Sequence, residues 1–377
     1  MEDKRIKIAY VISASEIGGT EKMLLLMIEN LGTEKFQPPV VFALKGRGKF
    51  TEELRKIEIK TYTFNLKKNP FLFIPFVKAV KRESPRILHT FLFYGNLAGR
   101  ICGRMLKIPV VISSQRSIDA WRKWYHWKID GFTSRWADLI ISNSFAGKDV
   151  LAAKSRIPSC KIAVITNGIS LDKRESAVDR RSLGVKRTGV VVGTIGNLRK
   201  AKGHIYLVKA AEIVLKEFPL TTFVITGEGN LRGYLLREAD KRGIADNFVF
   251  TGFRADAEEV VQLFDIFVLP SLWEGFPVSL LEAMKYARPA VAFAVADVPF
   301  IIEDGKSGFV VPVKSHEQLA LKIMALVKDG ELRKAMGQRG EKRLKERFSL
   351  ERMLRDYTAV YEKAGQGTFS QSIQEWS

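Results

Sequence analysis

Short, continuously apolar segments alternate with amphipathic ones along this chain, and the alternation occurs twice. In the first half the strand-like segments cover residues 6–13, 39–43, 86–89, 109–113, 137–142 and 162–165, with helix-like segments such as 20–31 and 96–106 between them. In the second half they cover 189–195, 221–226, 247–251, 266–270, 289–294 and 309–312, with helix-like segments at 203–217, 230–242, 257–263 and 278–287. Apolar strands separated by amphipathic helices are typical of parallel sheets covered by helices on both faces.

The repeated pattern predicts an α/β protein made of two Rossmann-like, doubly wound domains that face a central cleft. We expect the first domain in residues 1–170, a polar and charged linker in 171–187, and the second domain in 188–349. A further helix is expected in 350–364 and a loose tail in 365–377.

Composition excludes several other classes of protein. With 46% apolar and 27% charged residues among 377, the chain is neither disordered nor fibrous. The apolar stretch 71–77 is far shorter than the roughly 20 residues that a membrane-spanning helix needs. The N-terminus shows no apolar leader, and two cysteines are too few for a disulfide framework. These features predict a cytoplasmic protein.

The charge is strongly basic and uneven. The chain has 61 basic and 41 acidic residues, a net charge of +20, and residues 1–180 hold 32 of the basic and 17 of the acidic ones. Such a charge attracts nucleic acid, an anionic membrane surface or a phosphorylated substrate, and does not distinguish among them. The segment 121–128 mixes three tryptophans with lysine and arginine. It suits a membrane interface, a lipid-linked acceptor, single-stranded nucleic acid or a helix packed into the core. Together these features favour contact with anionic lipid.

The segment 270–282 carries the strongest chemical signal. A strand ends at Pro270, a loop follows, and a helix begins near Val278. Unpaired amides and the positive end of the helix dipole at such a helix start suit a diphosphate. Glu274 in the loop can accept hydrogen bonds from sugar hydroxyls, and Glu282, one turn into the helix, can accept from both hydroxyls of a ribose. Two ordinary solvated glutamates would show the same spacing. The candidate donor-binding residues here are Gly275, Phe276, Val278, Ser279 and Glu282.

Three other loops contain candidate residues. Lys202 lies in a glycine-rich turn before a helix, where a lysine can neutralise a departing diphosphate or simply be a solvated loop lysine. Gly18 and Gly19 follow the first strand and allow a close approach of the backbone to a ligand. Gly227 opens a G-x-G-x3-G segment, which differs in spacing from the dinucleotide fingerprint and is weak evidence for a nicotinamide cofactor.

Six segments taken together resemble the family 4 retaining glycosyltransferases, which have the GT-B fold. They are Gly18-Gly-Thr-Glu21, Asn167-Gly-Ile169, Gly196-Asn-Leu-Arg-Lys-Ala-Lys-Gly203, Gly227-Glu-Gly229, Pro270-Ser-Leu-Trp-Glu-Gly-Phe-Pro with the E-x7-E pair and Leu281-Glu-Ala-Met284, and Gly305-Lys-Ser-Gly-Phe309. The resemblance covers about residues 6–364. It implies that the second domain binds a nucleotide-diphosphate sugar and the first an acceptor, with transfer that retains the anomeric configuration. It also implies that the helix in 350–364 returns to the first domain.

The resemblance assigns roles to single residues. Glu274 would orient the sugar, and Lys202 with Arg199 would stabilise the leaving diphosphate. Gly18, Gly19, Asn197 and Gly227 would lie at the donor. Asn197 stands where the family often has arginine, and Ser113-Ser-Gln-Arg-Ser117 stands where many members have a histidine. Gln115 or Arg116 could supply that contact to sugar or acceptor. His89 ends a strand and could either face the cleft or be structural.

No metal or cofactor is expected. The four histidines form no pair at ligand spacing, and no Asp-x-Asp occurs. The resemblance, with this absence of metal motifs, implies a metal-independent glycosyltransferase that acts on a glycan or lipid-linked acceptor in bacterial surface polysaccharide synthesis. The expected location is the cytoplasm, at the inner face of the cell membrane. The alternatives are a nucleotide-sugar epimerase or hydrolase of the same fold, a family member that binds donor without catalysis, and a basic nucleic-acid-binding protein. No recognised nucleic-acid motif supports the last, so nucleic acid is not an expected partner.

Overall fold

The structure is a computed structural model that describes residues 5–116, 121–175 and 177–366. The predicted tail therefore lies outside the described residues from position 367 onward. The chain divides into two compact units. The first runs to Asn167 and takes up the chain again from Glu351, and the second is Gly168–Leu350.

The first unit is built on a parallel sheet of seven strands. The strands are β1 Ile8–Ile12, β2 Val40–Ala43, β3 Lys60–Thr63, β4 Ile87–Phe91, β5 Val110–Gln115, β6 Leu139–Ser142 and β7 Ile162–Val164. Its helices are α1 Gly19–Glu29, α2 Lys49–Lys56, α3 Phe73–Glu83, α4 Phe93–Leu106, α5 Trp124–Thr133 and α6 Phe145–Ser155. The strand order is β3-β2-β1-β4-β5-β6-β7. All five residues of β1 are buried, as expected for a central strand covered on both faces.

The second unit repeats this plan around a parallel sheet of six strands. The strands are β8 Val191–Ile195, β9 Thr222–Thr226, β10 Phe248–Gly252, β11 Ile266–Leu269, β12 Ala290–Phe293 and β13 Gly308–Val311. The helices are α7 His204–Glu217, α8 Arg232–Asp240, α9 Ala257–Val260, α10 Val278–Lys285, α11 Val298–Ile301, α12 His316–Lys328 and α13 Gly330–Arg347. The helix α14 Leu350–Gly365 follows and, from Glu351, belongs to the first unit. The strand order β10-β9-β8-β11-β12-β13 places β8 beside β11. The α/β, doubly wound fold class predicted from the sequence is confirmed.

The predicted linker contributes to the second unit. Leu183 and Val185 are buried in its hydrophobic core. The guanidinium of Arg180 donates to the carbonyl oxygen of Leu263 and to a carboxylate oxygen of Asp265, at 2.9 and 2.8 Å. Residues of this charged segment therefore pack on the unit that follows, because its few apolar side chains are buried.

Among the residues that the structure describes, no helix combines the length and the apolar character that crossing a membrane requires.

Candidate functional site

Three loops meet at the carboxyl edge of the second sheet. They follow β8, β9 and β11 and cover residues 196–203, 227–231 and 270–277. Backbone hydrogen bonds join them: Leu198 N donates to Glu228 O at 2.9 Å, and Leu272 N donates to Ala201 O at 2.7 Å. In open α/β sheets, ligands bind outside the carboxyl ends of the strands, so this edge is the natural candidate site.

Two glycines allow the loops to come this close. Gly203 has a φ of +60°, and a Cβ there would lie 2.0 Å from the carbonyl oxygen of Pro270. Gly227 has a φ of +145°, and a Cβ there would lie 2.1 Å from the carbonyl oxygen of Gly196. Both the backbone conformation and the contact distance exclude a side chain at these positions. The two glycines thus set the backbone positions from which the neighbouring candidate side chains, such as Lys202, extend.

Lys202 and Glu274 form an ion pair at this edge. Lys202 Nζ lies 2.6 Å from Glu274 Oε1, and Ser271 Oγ donates to the same oxygen at 2.6 Å. Glu274 is mostly buried, with 9% of its side chain exposed, and Lys202 has 26% exposed. The carboxylate is held by two donors, whereas part of the lysine side chain is exposed to solvent. A ligand can therefore reach Lys202 without a change in the loop.

The start of α10 lies directly after this loop. Leu280 N donates to Pro277 O at 3.1 Å, so the amides of Val278 and Ser279 precede the regular intrahelical hydrogen bonds. Phe276 is buried and packs its ring near that of Phe348, with centroids 6.2 Å apart, which anchors the loop. Glu282 follows one turn later on the same helix face as Val278, and its side chain is half-buried. The helix start therefore offers amide donors and a positive dipole end to an anion.

Arg199 and Asn197 are exposed members of the loop after β8. In the part of the chain that the structure describes, neither side chain forms a hydrogen bond or an ion pair. They lie in the same loop as Lys202 and outside its contact with Glu274. Their donor contacts stay predictions.

Gly18 and Gly19 lie at the start of α1 in the first unit. The amide of Gly18 donates to Glu21 Oε2 at 2.9 Å, so the buried Glu21 side chain caps its own helix. A Cβ added at Gly19 would meet nothing within 4 Å. Packing within the protein therefore does not require glycine at position 19, and the space in front of it is open to a ligand.

His89 is fully buried in the first unit. Its Nδ1 lies 2.7 Å from Tyr361 Oη and its Nε2 lies 2.8 Å from Ser114 Oγ. Burial, with the positive charge of Arg116, holds the pKa of His89 well below its usual range. Both ring nitrogens are thus engaged in tying β4 to β5 and α14. Of the two roles that the sequence leaves open, these contacts support the structural one.

Gln115 and Arg116, the other predicted acceptor contacts, are also buried. Arg116 donates through Nη1 to Tyr357 Oη at 3.0 Å and through Nη2 to Asn167 Oδ1 at 2.6 Å. Gln115 Oε1 accepts from Arg122 Nη2 at 2.9 Å. The structure therefore places them in an interior polar network, and their contact with an acceptor stays a prediction.

Two residues near the site were not predicted from the sequence and are identified only by the structure. Ser271 supports Glu274, and its only sequence signal is its place in the segment that precedes the E-x7-E pair. His204, the first residue of α7, is buried beside Lys202, and among the described residues its ring nitrogens have no hydrogen-bond partner. Burial and the charge of Lys202 lower the pKa of His204 to about 4, so the ring is neutral at physiological pH.

The aromatic segment 121–128 divides between core and surface. The helix begins only at Trp124, which is 69% exposed, and Trp121 before it is half exposed. Trp127 is buried against the core around β6 and α6. Lys128 Nζ lies 4.8 Å from the ring centroid of Trp124, a cation–π contact on the outer face. One of the three tryptophans is therefore part of the core and two are available at the surface.

Metal ligands do not cluster in the described ranges, where no group of three or more histidine, cysteine, aspartate or glutamate side chains is placed to hold an ion.

Comparisons with known proteins agree with this architecture. The model of the Glycosyltransferase Family 4 matches residues 17–173, and that of the Glycosyl transferases group 1 matches residues 175–343. The UDP-Gal:alpha-D-GlcNAc-diphosphoundecaprenol alpha-1,3-galactosyltransferase of Escherichia coli is 26% identical over 348 residues, which cover 86% of this chain and 88% of that protein. The alpha-D-kanosaminyltransferase of Streptomyces kanamyceticus is 25% identical over 72% of this chain and 74% of that protein.

Solved structures show the same fold. HepE of Anabaena, crystallised with UDP, superposes with a TM-score of 0.85 at 20% identity over 95% of this chain and all of that chain. The lipopolysaccharide outer core galactosyltransferase WaaB gives a TM-score of 0.75, also at 20% identity, over 95% of this chain and 99% of that one. The chain belongs to the family 4 glycosyltransferases and has the GT-B fold.

Proposed function

We propose that this glycosyltransferase moves a sugar from a UDP-sugar to a glycan or lipid-linked acceptor in bacterial surface polysaccharide synthesis. The observation that carries the proposal is the pairing of Lys202 with Glu274 beside the start of α10. It combines a cation, a carboxylate and amide donors, which are the groups that a sugar diphosphate needs. The names of the relatives support the donor: the Escherichia coli enzyme uses UDP-Gal, and HepE was crystallised with UDP and with UDP-glucose.

The proposed roles follow from the chemistry of the departing diphosphate. When the bond between the anomeric carbon and the diphosphate oxygen breaks, negative charge grows on that oxygen. Lys202 meets this charge, aided by Arg199 and by the amides at the start of α10. Glu274 accepts hydrogen bonds from the sugar hydroxyls, and Glu282 accepts them from the ribose. Glu274 already accepts a hydrogen bond from Lys202, so the loop is arranged before the nucleotide sugar binds.

We also propose transfer with retention and without a metal. The relatives from Escherichia coli and Streptomyces kanamyceticus are named for alpha products. With an α-linked nucleotide sugar as donor, an alpha product requires retention. The ammonium of Lys202 and the helix start supply the positive charge that a bridging cation would otherwise provide.

An anionic membrane surface is the proposed neighbour of the acceptor. Trp121 and Trp124 are exposed beside basic residues on a strongly basic unit, an arrangement typical of proteins that bind at a membrane interface. The Escherichia coli relative acts on a diphosphoundecaprenol acceptor, which is a membrane lipid.

The test is an assay of sugar transfer from UDP-galactose, UDP-glucose and UDP-N-acetylglucosamine to lipid-linked acceptors, with EDTA present. We expect UDP release that depends on the acceptor, and a product whose anomeric coupling in the NMR spectrum matches that of the donor. Turnover without acceptor would instead support an epimerase or a hydrolase. An inverted product or a requirement for added metal would refute retention or metal independence, respectively.

Glu282→Ala tests the assignment of the ribose contact. Loss of hydrogen bonds to a charged group costs about 1.5–3 kcal/mol, so we expect UDP to bind the variant about 10- to 100-fold more weakly. The same variant should discriminate little between UDP and 3′-deoxy-UDP, whereas the wild type should prefer UDP. Equal preference in both proteins would place the ribose elsewhere.

A further inference from the structure

The first unit contains an apolar cavity that none of the proposed donor contacts uses. Its volume is about 620 Å³, within the range of small-molecule sites. The apolar side chains that line it include Leu44, Leu66, Phe73, Leu97 and Ile101. An apolar cavity of this kind binds a sugar unfavourably, because the sugar hydroxyls would lose their hydrogen bonds to water there.

The cavity lies at the carboxyl edge of the first sheet. Ser13 directly follows β1, and Leu44 directly follows β2. One wall is the face of α4 formed by Tyr94, Leu97 and Ile101, which recur at helical spacing. This is the edge at which an open α/β sheet binds its ligands, so the cavity has the position of a substrate site.

Large apolar side chains are exposed around the cavity. Phe71, which lies between the lining residues Pro70 and Phe73, is 82% exposed, and Ile74 is 60% exposed. Tyr94 lines the cavity, is half exposed and stacks on the half-exposed Trp121 with ring centroids 5.9 Å apart. Exposed apolar side chains that surround an apolar cavity mark a site for an apolar ligand or a membrane surface.

Two lysines complete the lining. Lys45 follows β2, and Lys67 precedes α3, and both are exposed. Within the described residues neither forms an ion pair, in contrast to Lys60, which lies 2.7 Å from Glu83. Two unpaired ammonium groups at the edge of an apolar cavity are complementary to a phosphate joined to an apolar chain.

We propose that this cavity binds the apolar chain of a lipid-linked acceptor while Lys45 and Lys67 bind the phosphate or diphosphate between that chain and the glycan. The inference rests on the proposed glycosyltransferase function and specifies its acceptor class as an isoprenoid-type phosphate rather than a free glycan. The cavity then binds the acceptor through its lipid chain, and the enzyme recognises the chain and phosphate, which lie nearest the membrane.

Calorimetric titration with farnesyl diphosphate, below its critical micelle concentration and with saturating UDP to occupy the donor site, tests the proposal. Each buried methylene contributes about 0.8 kcal/mol, so we expect farnesyl diphosphate to bind at least about tenfold more tightly than inorganic diphosphate. Equal affinity for the two would overturn the proposal, because the chain would then contribute nothing.

Matched variants place the site. Leu97→Trp adds an indole to the cavity, and Met105→Trp adds one to an exposed position of the same helix. We expect the first to weaken farnesyl diphosphate about tenfold or more, the cost of excluding a few methylenes, and the second to leave the affinity unchanged. Equal affinities in the two variants would refute the site.

Charge reversal provides a second test that does not disturb the core. Lys45→Glu and Lys67→Glu should each weaken farnesyl diphosphate by about fivefold or more, whereas Lys68→Glu, beside the cavity lining, should have little effect. An equal loss in all three would mean attraction by net charge alone and would overturn the assignment. The UDP affinity, measured separately in each variant, distinguishes the two proposals: UDP that binds while farnesyl diphosphate does not leaves the proposed function intact.

Discussion

Glu274 is held by two donors at a single oxygen, and this shapes what its partner Lys202 can do. Ser271 and Lys202 both contact Oε1 at 2.6 Å. A diphosphate bound beside Lys202, as proposed, would compete with the carboxylate for the ammonium, while Ser271 would keep the carboxylate in place. The ion pair therefore describes the protein without a donor. The ammonium of Lys202 can move from Glu274 to a diphosphate by a change of its own side chain, without a backbone movement.

Lys202→Ala should lower kcat in a protein that still folds, since Lys202 is partly exposed and Ser271 still donates to Glu274. Loss of one group that stabilises developing charge costs about 10²–10³ in rate, so we expect a fall of that size in steady-state turnover of UDP-sugar. The matched control is Lys200→Ala, an exposed lysine two residues away. Similar turnover in the two variants would contradict the role of Lys202.

His89 couples stability to pH. Its folded-state pKa lies well below the ordinary value of 6.5, so below pH 6.5 the unfolded chain binds a proton that the folded chain does not. Stability is therefore lost as pH falls below about 6.5, by up to about 1.4 kcal/mol per pH unit for this group. His89→Asn should reduce that slope in urea unfolding between pH 6.5 and 5. An unchanged slope in His89→Asn would show that the histidine is not buried neutral.

At the scale of the elements, the site depends on how closely the loops after β8 and β11 pack. Gly203 combines a left-handed conformation with a contact to Pro270, whereas Gly305, at a φ of +74°, has nothing within 4 Å of its Cβ position. Substitutions at the two glycines therefore separate the stability cost of the left-handed backbone conformation from the stability cost of the steric contact with the neighbouring loop.

Gly305→Ala should cost about 1–2 kcal/mol of stability from the left-handed conformation alone. Gly203→Ala should cost clearly more, about 3 kcal/mol or above, because the loops must also separate, and it should lower turnover as Lys202 and Glu274 move apart. Thermal unfolding and steady-state kinetics on both variants measure these effects. Equal melting temperatures of the two variants would mean that the close contact between the loops does not affect the stability cost of the substitution.

The periodicity of the sequence was sufficient to predict every described strand except β3, including the edge strands β7, β10 and β13. Each of these strands overlaps a predicted apolar segment. The strand β3 was missed because Lys60–Thr63 is an edge strand with half-exposed residues and so has no apolar run. In helix α5, which begins at Trp124, the sequence did not distinguish the buried Trp127 from the exposed Trp124.

At the scale of the whole molecule, the pairing of Lys202 and Glu274 could not be predicted from spacing. The two residues are 72 positions apart, and their contact arises because β8 and β11 are neighbours in the sheet order. The sequence motifs nevertheless indicated each residue separately as a candidate, and their roles stay predictions. His89 was ambiguous because its partner Tyr361 belongs to a helix that returns after 272 positions, a contact that no local pattern specifies.

The excess positive charge predicts salt-dependent binding to anionic membranes. With a net charge of +20 and the exposed Trp121 and Trp124, the protein should sediment with vesicles that contain phosphatidylglycerol and not with neutral vesicles. Raising the salt concentration from about 0.05 to 0.5 M should release most of the bound protein. Added salt shortens the Debye length and so screens the attraction between the basic side chains and the anionic headgroups. Trp124→Ala should weaken binding more than Trp136→Ala, because Trp124 is exposed and Trp136 is half-buried. Equal binding to neutral vesicles would contradict an electrostatic contact.

The most direct test of the donor site is a calorimetric titration of UDP into the wild-type protein and into Lys202→Ala, each with EDTA. We expect that UDP binds the wild type at a one-to-one ratio, that EDTA leaves the affinity unchanged, and that the folded variant binds UDP more weakly. Absence of UDP binding, or binding that EDTA abolishes, would contradict a metal-independent donor site built from Lys202, Glu274 and the start of α10.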